Sequence, residues 1–224
     1  ALSLALLLAT TLFVKSLRPY STVDLGVKID HLTTFAVAPA LNGYQPARSM
    51  ILFGQAEDEL AAIPGVTGVA AARVPLLANS NWGNDVNVEG FPRGPDVDNN
   101  SRYNEIGPDY FKVTGVPMVA GREFTRADAL GRPKVAIVNE TFAKKFGLGR
   151  YAVGKRMSQG GDTLDIEIVG LAKDAKYSDV KAKIPPVFFV PYRQDSTIGG
   201  NRFYVRSGMD PSVIVRAIPG VIKK

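Results

Sequence analysis

Three stretches of the sequence combine residue types and spacings that are used in chemistry. The first, Gly149–Lys155, has the glycines and the lysine that begin a phosphate-binding loop, in which backbone N–H groups and the lysine approach nucleotide phosphates. The eighth position, where a Ser or Thr hydroxyl would hold magnesium, is Arg156. The segment also follows a predicted helix and leads into a predicted turn at residues 157–161, whereas a phosphate-binding loop follows a strand and opens a helix. We therefore expect an ordinary glycine-rich loop.

The second stretch resembles the start of a calcium-binding loop. Asp96, Asp98 and Asn100 alternate like the first oxygen ligands of such a loop. However, the sixth position is Ser101 and the twelfth is Gly107, where a calcium loop needs Gly and a bidentate Glu. The mismatch favours a solvated loop.

The third stretch contains Asp162, Asp165 and Glu167, which could transfer protons if they shared a pocket. Asp165 and Glu167 lie on the same face of a predicted alternating strand, and a solvated face explains them without chemistry. His31, the single histidine, has no nucleophile motif beside it. We therefore assign no catalytic, cofactor-binding or metal-binding residue, and we expect no enzymatic activity.

The beginning of the chain is apolar. Ala1–Val14 carries no charge, and Lys15 and Arg18 follow it. At about 1.5 Å per residue this run spans about 21 Å as a helix, short of the roughly 30 Å hydrocarbon core of a bilayer. We interpret residues 1–22 as the end of a transmembrane helix with its juxtamembrane segment, and a signal segment or a buried soluble helix are the alternatives. The two basic residues alone favour a cytoplasmic domain, although long domains cross the membrane largely regardless of such charges.

Composition excludes further classes of protein. The 224 residues include no Cys and one His, which removes thiol catalysis, disulfides, iron–sulfur clusters and Cys-based zinc sites. The net charge is +6, and the basic excess lies between residues 122 and 156. Such a stretch suits nucleic acid, an anionic lipid surface or an acidic protein. Because a membrane helix is expected and no nucleic-acid recognition fold is visible, we exclude nucleic acid and interpret the stretch first as a solvated face and second as a surface for a protein partner.

Hydrophobic periodicity predicts a β-α-β unit after the apolar segment. Residues 23–39 have the composition of a strand. Apolar residues at helical spacing across Leu52–Ile63 predict a helix, with Glu57–Glu59 on its solvated face. A buried strand is predicted from Val66 to Leu77.

A second, incomplete unit is predicted near the other end of the chain. Arg202–Arg206 alternates as a half-buried strand, and Asp210 precedes a helix that begins at Pro211. Pro219 would strain this helix, and the closing strand is expected beyond Lys224.

Residues 79–199 separate the two units and differ from them in predicted secondary structure, with several short strands and one small helix. Val135–Val138 predicts a buried strand, Asn139 can cap a helix over Glu140–Phe146, and Asp165–Gly170 alternates as a strand with one wet face. The sequence therefore predicts an α+β fold. A discontinuous β-α-β subdomain occupies residues 23–78 and 200–224, and a β-rich subdomain at residues 79–199 is inserted into it.

Several longer blocks carry a family resemblance. In their order and spacing they resemble the MacB-like periplasmic core domain of FtsX-type ABC transporter permeases, over roughly Val23 to Arg216. The blocks are Tyr103–Thr125, Val135–Phe146, Val153–Met157, Glu167–Tyr177 and Phe189–Tyr192. The glycine-rich loop at Gly149 overlaps the family's Val-Gly-Lys-Arg block, which binds no nucleotide in that family.

The resemblance implies two parts, called Porter and Sabre, with the first transmembrane helix before them. It implies a domain on the outer, periplasmic side of a bacterial inner membrane, pairing with a second permease subunit in a homo- or heterodimer and contacting membrane lipid. A cytoplasmic ABC ATPase would drive it, and a periplasmic adaptor is a further possible partner. The implied function is to pass ATP-driven motion across the membrane for export or other extracytoplasmic work. No catalytic residue and no cofactor are implied.

Two other classes of function stay open at this level. A membrane-anchored ligand-binding or sensory module would need an aromatic-lined cleft, for which Trp82, Tyr103, Tyr110 and Phe111 are the candidates. A hydrolytic enzyme would need a convergent acid/base set, and the sequence motifs give none.

Overall fold

The computed structural model describes residues 25–80, 82–177 and 179–222, and every element below lies in these ranges. The transmembrane helix predicted at residues 1–22 lies outside the described residues. Among the helices that are described, none is both long and apolar enough to cross a bilayer.

The described chain forms ten strands and four α-helices, with short 3₁₀ turns at Pro39–Asn42, Gly149–Tyr151 and Tyr192–Gln194. The helices are α1 (Pro46–Ala61), α2 (Tyr110–Thr114), α3 (Glu140–Lys145) and α4 (Pro211–Ile222). The strands are β1 (Leu32–Val37), β2 (Val66–Ala72), β3 (Trp82–Val88), β4 (Asn100–Ile106), β5 (Met118–Gly121), β6 (Lys134–Asn139), β7 (Arg156–Gln159), β8 (Ile166–Ala172), β9 (Val187–Pro191) and β10 (Asn201–Ser207).

Strands β1, β10 and β2 form a three-stranded layer with α1 and α4 on one face. Strand β10 lies in the middle and is antiparallel to both neighbours, so β1 and β2 run parallel and α1 is the crossover between them. Phe53 and Leu60 of α1, Phe203 of β10 and Ile214 of α4 are fully buried together. The predicted β-α-β unit is therefore present, with a strand from the end of the chain inserted into it.

Element boundaries in this layer differ from the prediction. The first strand covers only Leu32–Val37 of residues 23–39, and β2 ends at Ala72 because Arg73 and the following residues turn toward β4. Helix α1 begins at Pro46, earlier than the apolar periodicity indicates, since proline is favourable in the first helical turn. Helix α4 continues through Pro219, and the Asp210 carboxylate accepts the N–H of Ser212 at 2.8 Å as its predicted cap.

Six of the other strands pair with one another in a closed order. Going round, β4 pairs with β3, β3 with β7, β7 with β8, β8 with β6, β6 with β9, and β9 again with β4. These six strands form a ring, and β5 lies alongside β8. The segment 157–161 was predicted as a turn, but most of it belongs to strand β7. Met157 of this strand packs in the apolar interior of the ring.

The interior of the ring is a filled apolar core. Each ring strand contributes a side chain to one cluster, and Phe142 and Phe146 of the α3 region complete it, with their ring centroids 4.4 Å apart. Phe142, Met157, Ile168 and Phe188 are completely buried. Full burial of such side chains stabilises the fold by about 1.5–3 kcal/mol each. Because these side chains fill the interior, the ring is a packed body and not an open pore.

Asn139 explains the position of α3. Its side-chain oxygen accepts the N–H of Phe142 at 2.9 Å, which confirms the predicted N-cap, and it also accepts the N–H of Val187 at 2.9 Å. The side-chain amide donates to the carbonyl of Pro185 at 3.0 Å. One buried side chain therefore starts α3 and fixes it to the beginning of β9.

A second apolar cluster joins the three-stranded layer to the ring. Tyr110 and Phe111 of α2 pack against Phe189 of β9 and Tyr204 of β10, with centroid distances of 5.0–6.3 Å. The backbone is also continuous there, because Ala72 of β2 pairs with Ile106 of β4. The fold is thus mixed α+β, as predicted.

Candidate functional site

The contact region between the three-stranded layer and the ring contains a group of buried or half-buried charged side chains that form ion pairs. We call it the junction and define it by Glu57, Arg73, Glu105, Tyr192 and Arg193. Glu57 belongs to α1, Arg73 follows β2, Glu105 lies on β4, and Tyr192 and Arg193 follow β9. These residues therefore form one of the connections between the three-stranded layer and the ring, beside the apolar cluster and the pairing of Ala72 with Ile106.

Glu57 is the centre of the first cluster in the junction. Glu57 is 6% exposed. Its carboxylate accepts a hydrogen bond from the Tyr192 hydroxyl at 2.6 Å and pairs with the Arg193 guanidinium. Arg126 approaches the same carboxylate at 3.8 Å and also pairs with Asp58, which lowers the Asp58 pKa. A buried charge is tolerated only when it is paired and hydrogen-bonded in this way. The cluster therefore ties α1 directly to the ring.

The backbone around Glu57 is shaped to admit these contacts. A Cβ placed on Gly107 would lie 2.9 Å from the Tyr192 ring and 3.3 Å from the Glu57 carboxylate, so a larger residue would push into the cluster. The Gly107 N–H donates to the carbonyl of Ala71 at 2.8 Å. Gly107, which the calcium-loop alignment placed at a ligand position, thus lies against the junction.

The prediction that Glu57–Glu59 form a solvated face of α1 is wrong for Glu57. Glu57 lies four residues after Phe53 and three before Leu60, so helical spacing puts all three side chains on the same buried face. That spacing was the available signal in the sequence. Asp58 is exposed, as predicted.

The second cluster in the junction contains two neighbouring carboxyl groups, one of which pairs with an arginine. The Glu105 carboxylate lies 3.5 Å from the Arg73 guanidinium and beside Asp195. Arg73 also donates to the carbonyl of Gly200 at 2.8 Å and lies over the Trp82 ring. Burial, reinforced by the negative charge of Asp195 and opposed by Arg73, raises the pKa of Glu105 to about 7. Glu105 therefore changes its charge near neutral pH.

Further hydrogen bonds fix the chain segments that cross the junction. The Asn104 side chain accepts the N–H of Val74 at 2.8 Å and donates to the carbonyl of the same residue at 2.9 Å. The Leu76 N–H donates to the Tyr204 hydroxyl at 3.0 Å. Asn104 is completely buried, so both of its bonds are protected from water. The crossing segment after β2 is consequently held at two successive points.

One mouth of the ring opens into a cavity of about 460 Å³ that borders the junction. Glu105 and Asp195 line it, together with Asp162 and Asp165 of the predicted acid/base set. Lys134 neutralises Asp165 through a 2.6 Å contact. The third predicted acid, Glu167, does not line this cavity, because it stands opposite Arg156 in the pairing of β8 with β7. The structure therefore does not bring the three acids together.

Two charged residues of the other motifs form ion pairs within the fold. The Asp98 carboxylate of the calcium-like stretch pairs with Lys145 at 2.8 Å. Lys155 of the phosphate-loop-like stretch pairs with Glu89 at 2.8 Å, and the loop continues into a strand, not a helix. His31 stands at the start of β1 with a φ of 58°. Over the described ranges, no group of three or more His, Asp and Glu side chains is arranged to hold a metal ion.

Of the four aromatic residues considered for a cleft, Tyr110 and Phe111 are in the core, and Trp82 and Tyr103 are half-buried and pack against it. Trp82 and Tyr103 contact each other at a centroid distance of 5.3 Å, and Tyr103 stacks on Phe188. Tyr110 and Phe111 are each 2% exposed. These rings fill space between elements and do not line an open cleft.

The family model for the MacB-like periplasmic core domain matches residues 1–222. No curated protein matches the sequence significantly. The periplasmic region of MacB from Actinobacillus actinomycetemcomitans is similar in structure, with a TM-score of 0.55 and 16% identity over 88% of this chain and 85% of that chain.

Two other solved structures were found. The extracellular domain of the noncanonic ABC-type transporter YknZ from Gram-positive bacteria has a TM-score of 0.46 and 19% identity over 75% of this chain and 76% of its own. A domain of a putative permease protein from Porphyromonas gingivalis has a TM-score of 0.48 and 20% identity over 75% of this chain and 67% of its own.

The family match spans nearly the whole chain, and the fold of the MacB region agrees with it. The chain therefore belongs to the family of MacB-like periplasmic core domains.

Proposed function

We propose that this chain is the non-catalytic extracytoplasmic domain of an ABC transporter permease and transmits ATP-driven motion across the membrane. Family membership supports the setting, and the Glu57 cluster is the observation that carries the mechanism. A lever must move as one body, and the junction joins α1 to the ring through buried charged bonds that are costly to break, at about 3–5 kcal/mol for a lost partner.

The proposed path of motion follows the chain. The Porter-like part, residues 23–78 and 200–224, stands nearest the membrane and receives displacement from the transmembrane helix proposed at residues 1–22. The Sabre-like part, residues 79–199, contains the ring and extends further out. Because close-packed protein interiors have low compressibility, displacement at the membrane end is passed on to the ring.

The proposal also assigns partners and a location. A second permease subunit, a cytoplasmic ABC ATPase and membrane lipid are expected, and a periplasmic adaptor or another extracytoplasmic protein would receive the motion. The membrane is the bacterial inner membrane, and the work is efflux or another form of transport or extracytoplasmic action.

The experiment measures the separation of two copies of the domain in the full-length permease with its ATPase in lipid. These 224 residues contain no cysteine, so once any cysteines elsewhere in the permease and the ATPase are replaced, Arg156→Cys at an exposed position of β7 gives a unique spin-label position on each copy. We expect the label-to-label distance to change by several ångströms between nucleotide-free and ATP-bound states. An unchanged distance in both states would contradict the proposal.

A further inference from the structure

Most basic side chains between residues 122 and 156 are held by carboxylates. The ion pairs are Arg122 with Asp128, Arg126 with Asp58, Lys134 with Asp165, Lys145 with Asp98, and Lys155 with Glu89. These pairs account for much of the basic stretch as structure. The remaining basic side chains are therefore the ones available to bind an anionic ligand.

Two of the remaining cations, Lys144 and Arg150, line one groove of about 630 Å³ together with Lys173. All three residues are exposed, and within the described part of the chain none of them takes part in an ion pair or a side-chain hydrogen bond. Glu140 is the carboxylate in the lining, and one of its oxygens already accepts the N–H of Asp174 at 3.2 Å. Three cations and one carboxylate leave the groove lining with a net positive charge of two.

The floor of the groove is apolar. Ala143 and Leu171 form its base and are nearly fully buried, and Val119 of β5 forms a wall with 43% of its surface exposed. Tyr151, 84% exposed, lies next to Arg150 in the chain. Cations around an apolar floor match a ligand that has both carboxylates and small apolar side chains.

The shape of the groove selects among such ligands. Strand β5 pairs with β8 along one edge, and no other strand of the described chain pairs with it. An extended segment could use the free backbone groups of β5 as hydrogen-bond partners. A concave groove with a strand edge suits a polypeptide, whereas a lipid surface is planar and contacts convex faces.

We propose that the groove between β5 and α3 binds an extended, acidic segment of a partner protein, in which Asp or Glu alternates with small apolar residues. Carboxylates of the segment pair with Lys144, Arg150 and Lys173, and its apolar side chains lie on Val119 and Leu171. The nature of the partner as an extracytoplasmic protein rests on the proposed function, while the binding chemistry of the groove does not.

The test titrates the full chain with a fluorescein-labelled peptide, Glu-Val-Glu-Val-Glu-Val-Glu, and measures fluorescence anisotropy. We expect saturable binding that weakens with added salt. The triple variant Lys144→Gln, Arg150→Gln, Lys173→Gln should bind about tenfold more weakly, because each lost exposed ion pair weakens binding roughly 1.4- to 5-fold. A matched control, Arg48→Gln, Arg132→Gln, Lys183→Gln, removes the same charge at exposed positions outside the groove and should bind like the parent.

The other outcomes overturn the proposal. Equal weakening in both triple variants would show a response to net charge alone. Binding of phosphatidylglycerol vesicles by the groove cations, without binding of the peptide, would make the groove a lipid site. Far-ultraviolet circular dichroism confirms that each variant is folded. Absence of saturable peptide binding would also overturn the groove proposal, but it would leave the nucleotide-dependent label distance at Arg156→Cys unchanged. Failure of the groove proposal is therefore distinguishable from failure of the transport proposal.

Discussion

Glu105 gives a pH dependence of stability whose sign follows from the structure. Its pKa of about 7 in the folded chain lies about 2.5 pH units above the ordinary value of 4.5. Between these two values the folded state holds a proton that the unfolded state has released. The free energy of unfolding must therefore fall as pH rises from about 4.5 to 7, and the loss is complete above pH 7.

The magnitude follows from the same values. At about 1.4 kcal/mol per pH unit, the full difference corresponds to an upper bound of about 3 kcal/mol. The Glu105 side chain keeps 15% of its surface exposed, and water screens part of the repulsion from Asp195. We expect about 2 kcal/mol to remain.

Glu105→Gln removes the titration while keeping the size of the side chain. The free energy of unfolding is measured by urea titration at pH 5, 6, 7 and 8, with Trp82 fluorescence as the signal. Relative to the parent, the free energy of unfolding of the variant should increase by about 2 kcal/mol between pH 5 and pH 8. Burial also raises the pKa of Glu123, but that contribution is common to both proteins and cancels. The matched control is Glu89→Gln, at an exposed carboxylate whose pKa is lowered by Lys155. A parent and a Glu105→Gln variant with the same pH slope would refute the reasoning.

Three further predictions concern packing and hydrogen bonding. Tyr192→Phe removes the hydroxyl bonded to the buried Glu57 carboxylate and should lower the unfolding free energy by about 1.5–3 kcal/mol in urea titrations; a loss below 0.5 kcal/mol, by the same scale, would mean that the bond is not formed. Phe142→Ala empties the centre of the ring and should cost about 3–5 kcal/mol, visible as a lower thermal midpoint, whereas an unchanged midpoint would argue against a filled ring. Asn139→Ala removes the cap of α3 and the bond to Val187, for an expected loss of about 2 kcal/mol, and Asn139→Asp should recover part of it because the acceptor oxygen returns.

Local signals made part of this fold predictable from the sequence. The cap at Asn139, the strand at Val135–Val138 and the crossover of the β-α-β unit depend on neighbours within a few residues, and all three are present. Ring closure depends on pairing of β4 with β9, which are far apart in the chain, and hydrophobic alternation does not encode which strands pair.

The junction was less accessible to sequence reasoning. Glu57 had a readable signal in its spacing from Phe53 and Leu60, but three consecutive acids suggested a solvated face. Glu105 had none, since its raised pKa arises first from burial and second from the charge of Asp195, and both depend on the tertiary fold. Buried charges of this kind are visible from sequence only when their partners are already known.

The central claim is that α1 and the ring move as one body. Its direct test places spin labels at Ile51→Cys on α1 and Arg156→Cys on β7, both exposed positions, in one copy of the full-length permease diluted with unlabelled copies. The account predicts an unchanged, narrow distance distribution in the nucleotide-free and ATP-bound states, and a broadened one when Glu57→Gln and Tyr192→Phe are added. A distance that shifts with nucleotide in the parent junction would contradict it.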